Sequence, residues 1–174
     1  QIAKYISSIA NGGTVVDPTI IKSIINSNGA EASREKIESY TNEKLGIETS
    51  DDGIAISAES IAIAKEGMRM ATSQAGGTAY SVFKNFNVEV AGKTGSAETS
   101  GTDIFGNDKV NAWFVCFAPF EQPEVAVVVM IENGGHGNYA AEVSRDILTQ
   151  YFGMNESATV NESTLAIPLV EQMR

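Results

Sequence analysis

Two consecutive stretches of this chain have no polar face, and they constrain its fold more than any other feature. From Asn111 to Ala118, an extended chain would put Ala112, Phe114 and Cys116 on one side and Trp113, Val115 and Phe117 on the other. Val125 to Ile131 is apolar at every position. Side chains alternate along a strand, so a strand that is apolar on both sides needs cover above and below. The two runs are therefore read as central strands of a sheet covered by helices. The short link from Pro119 to Pro123 permits an antiparallel hairpin between them.

The surrounding sequence supplies candidates for that cover. Residues 1–10 carry Ile2, Tyr5, Ile6 and Ile9 at helical spacing, and Asn11-Gly12-Gly13 stops the helix. The β-branched run Thr19 to Ile25 reads as a strand. Residues 26–52 form a polar surface excursion with a short helix near Glu35 to Tyr40. Ser57 is placed to cap a helix with Ile61, Ala64, Met68 and Ala71 on its core face and Glu59, Lys65 and Arg69 elsewhere. Gly76-Gly77 ends that helix, and a brief one is expected at 78–84. Val88 to Ala91 alternates as a strand and runs into Gly92-Lys93-Thr94-Gly95-Ser96, followed by a polar loop through Gly101, Gly106 and Asp108. Gly134 to Asn138 reads as a loop. Tyr139 to Phe152 reads as a last amphipathic helix with Ala140, Val143, Ile147 and Tyr151 toward the core. The order of elements is α+β, an antiparallel sheet covered by helices.

Composition narrows the function classes. Of 174 residues, 43% are hydrophobic and 20% charged, which is globular and not disordered. The net charge of −10, from 22 acidic against 12 basic residues, makes nucleic acid an unfavourable partner. The apolar run Val125 to Ile131, which no other run exceeds, is far shorter than the roughly 20 residues of a membrane helix. The amphipathic pattern is already under way at Gln1, so the chain reads as a piece of a longer protein. One cysteine, Cys116, excludes an internal disulfide and reads as a small core residue. The single histidine, His136, lies among glycines and reads as a surface-loop residue; the chain shows no partners for it in a metal site. No cofactor is implied.

Lys93-Thr94-Gly95 is the motif that carries chemistry. It lies at the end of the expected strand, next to a buried strand pair, so its own strand can be an outer one with an edge toward a cleft. Gly95 lets another backbone approach that edge. Lys93 supplies positive charge, Thr94 and Ser96 supply hydroxyls, and the backbone supplies N–H donors: a receptor for a carboxylate and for a developing oxyanion. A Walker A reading of Ala91-Gly92-Lys93-Thr94 fails, because that motif needs a glycine where Asn87 stands and a helix opening at Lys-Thr.

K-T-G is also one of three signatures of penicillin-binding proteins and class A β-lactamases, beside S-x-x-K and S-D-N. The segments Val90 to Glu98, Asn111 to Pro119, Ala10 to Gly13, Gly67-Met68 and Gly77-Thr78-Ala79 resemble those of the monofunctional (class B) penicillin-binding proteins, in the family's order. The resemblance covers roughly residues 1–152, identified as the C-terminal portion of a transpeptidase domain of the serine β-lactamase/transpeptidase-like fold; residues 153–174 read as a polar, loosely held C-terminal tail. It implies a serine acyl-enzyme acting on peptidoglycan stem peptides and acylated by β-lactam antibiotics. It implies a parent on the extracytoplasmic face of the bacterial membrane, anchored outside this chain, with the missing N-terminal part of the same protein as partner. Lys93 would be catalytic. Thr94, Gly95 and Ser96 would bind substrate, and the Ser96 N–H would be one oxyanion-hole donor. Asn111 stands where the family usually has His.

The nucleophile is missing. Ser33-Arg34-Glu35-Lys36 lies in a polar segment, and Ser81-Val82-Phe83-Lys84 lies only about nine residues before the K-T-G strand, whereas the family places its serine far upstream. No Ser-x-Asn occurs. The chain is therefore expected to be inactive alone. A D,D-carboxypeptidase or serine β-lactamase of the same fold, and a non-catalytic peptide- or protein-binding module, remain open at this level.

Overall fold

The computed structural model describes residues 1–15, 23–45, 56–102 and 106–154. The two apolar runs are strands as expected: β2 is Asp108–Ala118 and β3 is Val125–Ile131. They pair antiparallel, Ala118 opposite Val125 and Ala112 opposite Ile131. β1, Ala91–Thr102, pairs antiparallel with β2 on its other side, giving a three-stranded sheet in the order β1-β2-β3; among the described residues only β2 is central, and β3, expected to be central too, lies at an edge.

Alternation along β2 divides the core between two faces. Ala112, Phe114, Cys116 and Ala118 are fully buried on one face with Val127 and Val129 of β3. That face is covered by α4, Tyr80–Phe83, and α5, Gly137–Tyr151. Phe83 stacks on Phe114 with ring centroids 5.6 Å apart. On the opposite face Phe117 is buried with Ala91, Ile6, Ile9, Ala10 and Met68, and Val115 and Val128 pack against them. The cover there comes from α1, Ile2–Ala10, and α3, Ala58–Ser73. Burial pushes the Cys116 thiol up to about 12, so it is a packing residue and not a nucleophile at neutral pH.

Several sequence expectations are corrected. In α1 only Ile6 and Ile9 of the apolar set are buried; Ile2 and Tyr5 are exposed. Ser57 caps α3 as expected, its hydroxyl accepting from the Ser60 N–H. However, the inward face of α3 carries Ile61, Met68 and Thr72 with half-buried Lys65, while Ala64 is exposed. The reason is that Lys65 is long enough to lay its stem along the aromatic surface. Its ammonium sits 5.4 Å from the Phe117 ring centroid and 5.8 Å from that of Phe120, and donates to the Ala10 carbonyl at 3.0 Å. It thereby caps the end of α1. Arg69, one turn on, donates to Glu66 and Glu89 and lies over Phe120. Those hydrogen bonds hold Glu66 below the usual carboxylate range.

The inward face of α5 also differs from the expected one. Gly137, Ala140, Ala141, Ser144 and Leu148 are buried, and Val143, Ile147 and Tyr151 are exposed. Small residues at this spacing let the helix axis approach the sheet more closely than a Val–Ile–Tyr face would. The result is an exposed apolar stripe, Tyr139, Val143, Ile147 and Tyr151, repeating every four residues. α2, Arg34–Leu45, extends the helix expected near Glu35. Of the strand expected at Thr19 to Ile25, residues 19–22 lie outside the described residues, and Ile25 forms only an isolated bridge to Glu31. The tail reading for 153–174 falls, beyond Met154, outside the described residues as well.

Candidate functional site

The K-T-G residues lie within a strand rather than at its end. β1 begins at Ala91, where Val88 to Ala91 had been expected to form its body, and it continues to Thr102 through most of what read as loop. Val90 and Ala91 are buried and anchor its start. Inside α3, the Thr72 hydroxyl donates to the Val90 carbonyl and ties the helix to this entry. Gly92 is required by packing: a Cβ there would lie 2.4 Å from Cζ of the fully buried Phe114.

From Gly92 onward the motif is fixed by its neighbour in the sheet. Lys93 sits opposite Val115, Thr94 opposite Phe114, Gly95 opposite Trp113 and Ser96 opposite Ala112. Alternation puts the Lys93 side chain on the α1/α3 side and those of Thr94 and Ser96 on the α5 side. Among the described residues no strand pairs with the outer side of β1, so that side presents backbone donors and acceptors to a ligand.

Lys93, Thr94, Gly95 and Ser96 line one cleft of about 590 Å³, together with Thr78, His136, Gly137 and Asn138. The first four are the residues singled out in the sequence. The sequence reading did not find Thr78 as a lining residue, and it set His136 aside. Thr78 arrives on the turn between α3 and α4. A Cβ at Gly77 would lie 2.5 Å from the Ala71 carbonyl oxygen, so the turn folds tightly on the end of α3. The Thr94 hydroxyl donates to the Thr78 hydroxyl at 2.9 Å. The Lys93 ammonium donates to the Thr94 carbonyl at 2.5 Å.

The start of α5 lines the cleft next to the motif strand. A Cβ at Gly137 would lie 2.9 Å from the Trp113 carbonyl oxygen and 3.0 Å from both the Gly95 carbonyl oxygen and Thr94 Cβ. Only glycine allows the helix to begin this close to the motif. The turn before it is tethered to the other end of β2: the Asn133 N–H donates to Asn111 Oδ1 at 3.0 Å, and the Gly135 N–H to the Val110 carbonyl at 3.0 Å. Asn111 therefore holds the segment that delivers His136.

Chemically the cleft is suited to an anion. Its lining carries the Lys93 ammonium, three hydroxyls, an amide and an imidazole, and no carboxylate, in a chain of net charge −10. Neither candidate serine lines it. Ser33 caps the exposed start of α2, accepting from the Lys36 N–H at 3.4 Å, and Ser81 is an exposed residue of α4. Among the described residues no three His, Cys, Asp or Glu side chains gather to hold a metal, and no helix is long and apolar enough to cross a membrane.

Comparison with known proteins agrees with this architecture. The family model described as the penicillin binding protein transpeptidase domain matches residues 1–149. The peptidoglycan D,D-transpeptidase MrdA of Haemophilus influenzae is 30% identical over 163 residues, which is 87% of this chain and 23% of that protein. Among solved structures, penicillin-binding protein 2B of Streptococcus pneumoniae superposes with a TM-score of 0.62 at 26% identity, covering 90% of this chain and 25% of that one. Penicillin-binding protein A of M. tuberculosis, solved as an imipenem acyl-enzyme complex, gives 0.60 at 27% identity, covering 86% and 29%. The chain thus spans about a quarter of the length of the relatives it matches.

Proposed function

This chain belongs to the penicillin-binding protein transpeptidase family, and we propose that it forms the K-T-G wall of a D,D-transpeptidase whose nucleophilic serine lies on a part of the protein outside this sequence. The observation that carries the reading is the cleft itself: the four motif residues line one site with no carboxylate in it. The exposed stripe on α5 supports it too. An apolar surface of that regularity marks an interface, here with the remainder of the domain.

In this reading the serine hydroxyl attacks an amide carbonyl of a peptidoglycan stem peptide. The C-terminal residue leaves as the amine, and the amine of a second stem takes the acyl group from serine. Lys93 provides positive charge for the attack and for the substrate carboxylate. The Ser96 N–H stabilises the oxyanion together with the N–H of the serine. β-Lactams acylate the same serine. The protein works on the outer face of the bacterial membrane, held there by an anchor outside this sequence.

Thr78 completes the hydroxyl wall. Two hydroxyls own two hydrogens, and one is spent between Thr94 and Thr78. The other remains on Thr78 for the ligand carboxylate. Thr78→Val keeps the β-branched shape and removes that hydrogen. It is expected to lower the second-order rate of penicillin acylation by about tenfold. Thr78→Ser is expected to retain the rate; equal losses in both variants would remove the hydroxyl from the argument.

The reading as a whole is tested with a fluorescent penicillin. Labelling is compared between this chain and a protein extended upstream by the rest of the domain. Labelling of the extended protein alone supports it. Labelling of this chain by itself returns Ser33 or Ser81 to consideration as nucleophile, and labelling of neither favours a non-catalytic binding module.

A further inference from the structure

His136 is the only histidine in the chain, and the fold spends several contacts to put it in the cleft. The segment before it donates two N–H hydrogen bonds, from Asn133 to the side-chain Oδ1 of Asn111 and from Gly135 to the Val110 carbonyl, and adopts positive φ at Asn133 (54°) and Gly135 (70°). The residue after it is the glycine whose closeness to Gly95 and Thr94 admits no side chain. Between these two fixed points His136 has extended backbone, with φ −88° and ψ 138°. Its backbone therefore has little freedom to carry the imidazole away from the motif strand. The side chain is exposed at the cleft rim, so it is open to a ligand.

We propose that His136 is a specificity-determining residue that donates a hydrogen bond to the carboxylate of the ligand, from the cleft that Thr78 and Thr94 also line. This rests on the transpeptidase reading above and adds a residue to its binding site. Lys93 supplies the one ammonium lining the cleft, and no acidic side chain lines it, so the imidazole has no anionic competitor there. The first turn of α5 carries no acidic residue either. Asn111 gains a function by the same route. Its side chain holds the turn that brings the imidazole to the cleft.

The test uses the full-length protein, a penicillin with a free carboxylate, and the methyl ester of the same penicillin. Stopped-flow labelling separates the dissociation constant of the initial complex from the acylation rate constant. In His136→Ala, the initial complex with the free carboxylate is expected to weaken by about tenfold. The acylation rate constant and all parameters for the ester should stay unchanged. His136→Gln, which keeps a side-chain N–H donor, should recover most of the loss. A merely structural role would weaken carboxylate and ester alike and would not be rescued by glutamine. An unchanged carboxylate-to-ester ratio in His136→Ala, with normal labelling of the wild type, overturns this inference and leaves the transpeptidase reading standing. Absence of labelling in the wild type overturns both.

Discussion

Replacing Lys93 by alanine, in a protein that holds both this cleft and its serine, is expected to lower the second-order rate of penicillin acylation by about 100- to 1,000-fold. A preorganised charged donor at a developing negative charge contributes that order of rate. Lys93 is the single ammonium in a cleft whose other polar groups are neutral hydroxyls, an amide and an imidazole. In the structure it rests on the Thr94 carbonyl, so engaging a ligand carboxylate replaces a neutral acceptor with an anionic one. The loss should fall mainly on the acylation rate constant, with a smaller weakening of the initial complex. Stopped-flow kinetics resolve the two. A variant that acylates at the wild-type rate would show that the charge acts elsewhere, and the role given to Lys93 would have to be withdrawn.

The second large effect is expected at Gly137. Gly137→Ala places a methyl 2.9–3.0 Å from two backbone carbonyl oxygens, which cannot rotate away as a side chain can. Either α5 lifts from the sheet or the motif strand moves. Overpacking of this kind costs about 1–3 kcal/mol, read as a lowered denaturant midpoint. Acylation should fall as well, because Thr94, Gly95 and His136 all depend on this contact for their positions. Gly67 gives the control of opposite sign. It lies exposed within α3, and an added Cβ would meet nothing within 4 Å. Gly67→Ala is expected to raise stability by about 0.5–1 kcal/mol through helix propensity alone, with acylation unchanged. If Gly137→Ala were as harmless as Gly67→Ala, the tight seat of α5 would not be what fixes the cleft.

The two kinds of glycine show where sequence reading stops. Both look alike in the string of residues; only the neighbours in space distinguish a glycine that is required from one that is tolerated. The same limit explains the errors in helix orientation. A period of 3.6 residues admits more than one apolar face on α5, and the larger side chains, Val143, Ile147 and Tyr151, drew the choice. The sheet selected Gly137, Ala140, Ala141, Ser144 and Leu148 instead, because close approach to β2 buries more of both partners. On α3 a lysine took an inward position from an alanine, since the aromatic pair Phe117 and Phe120 could accept its stem and its charge.

What the sequence determined by itself is the local and periodic part. Two runs without a polar face are strands covered on both faces, and β2 and β3 run where that pattern put them, although only β2 is central among the described residues. Ser57 capped its helix, Asn11-Gly12-Gly13 ended one, and Lys93, Thr94, Gly95 and Ser96 were legible as a group because they are contiguous. What only the tertiary structure decided is which distant residues join them. Thr78 and His136 lie 15 and 43 positions from Lys93 (93 − 78 and 136 − 93), and no period or spacing links them to it. They reach the cleft because a tight turn at Gly77 folds one segment onto the end of α3 and a glycine at 137 lets another pack against the motif strand, and such contacts are fixed by packing in three dimensions rather than by order along the chain.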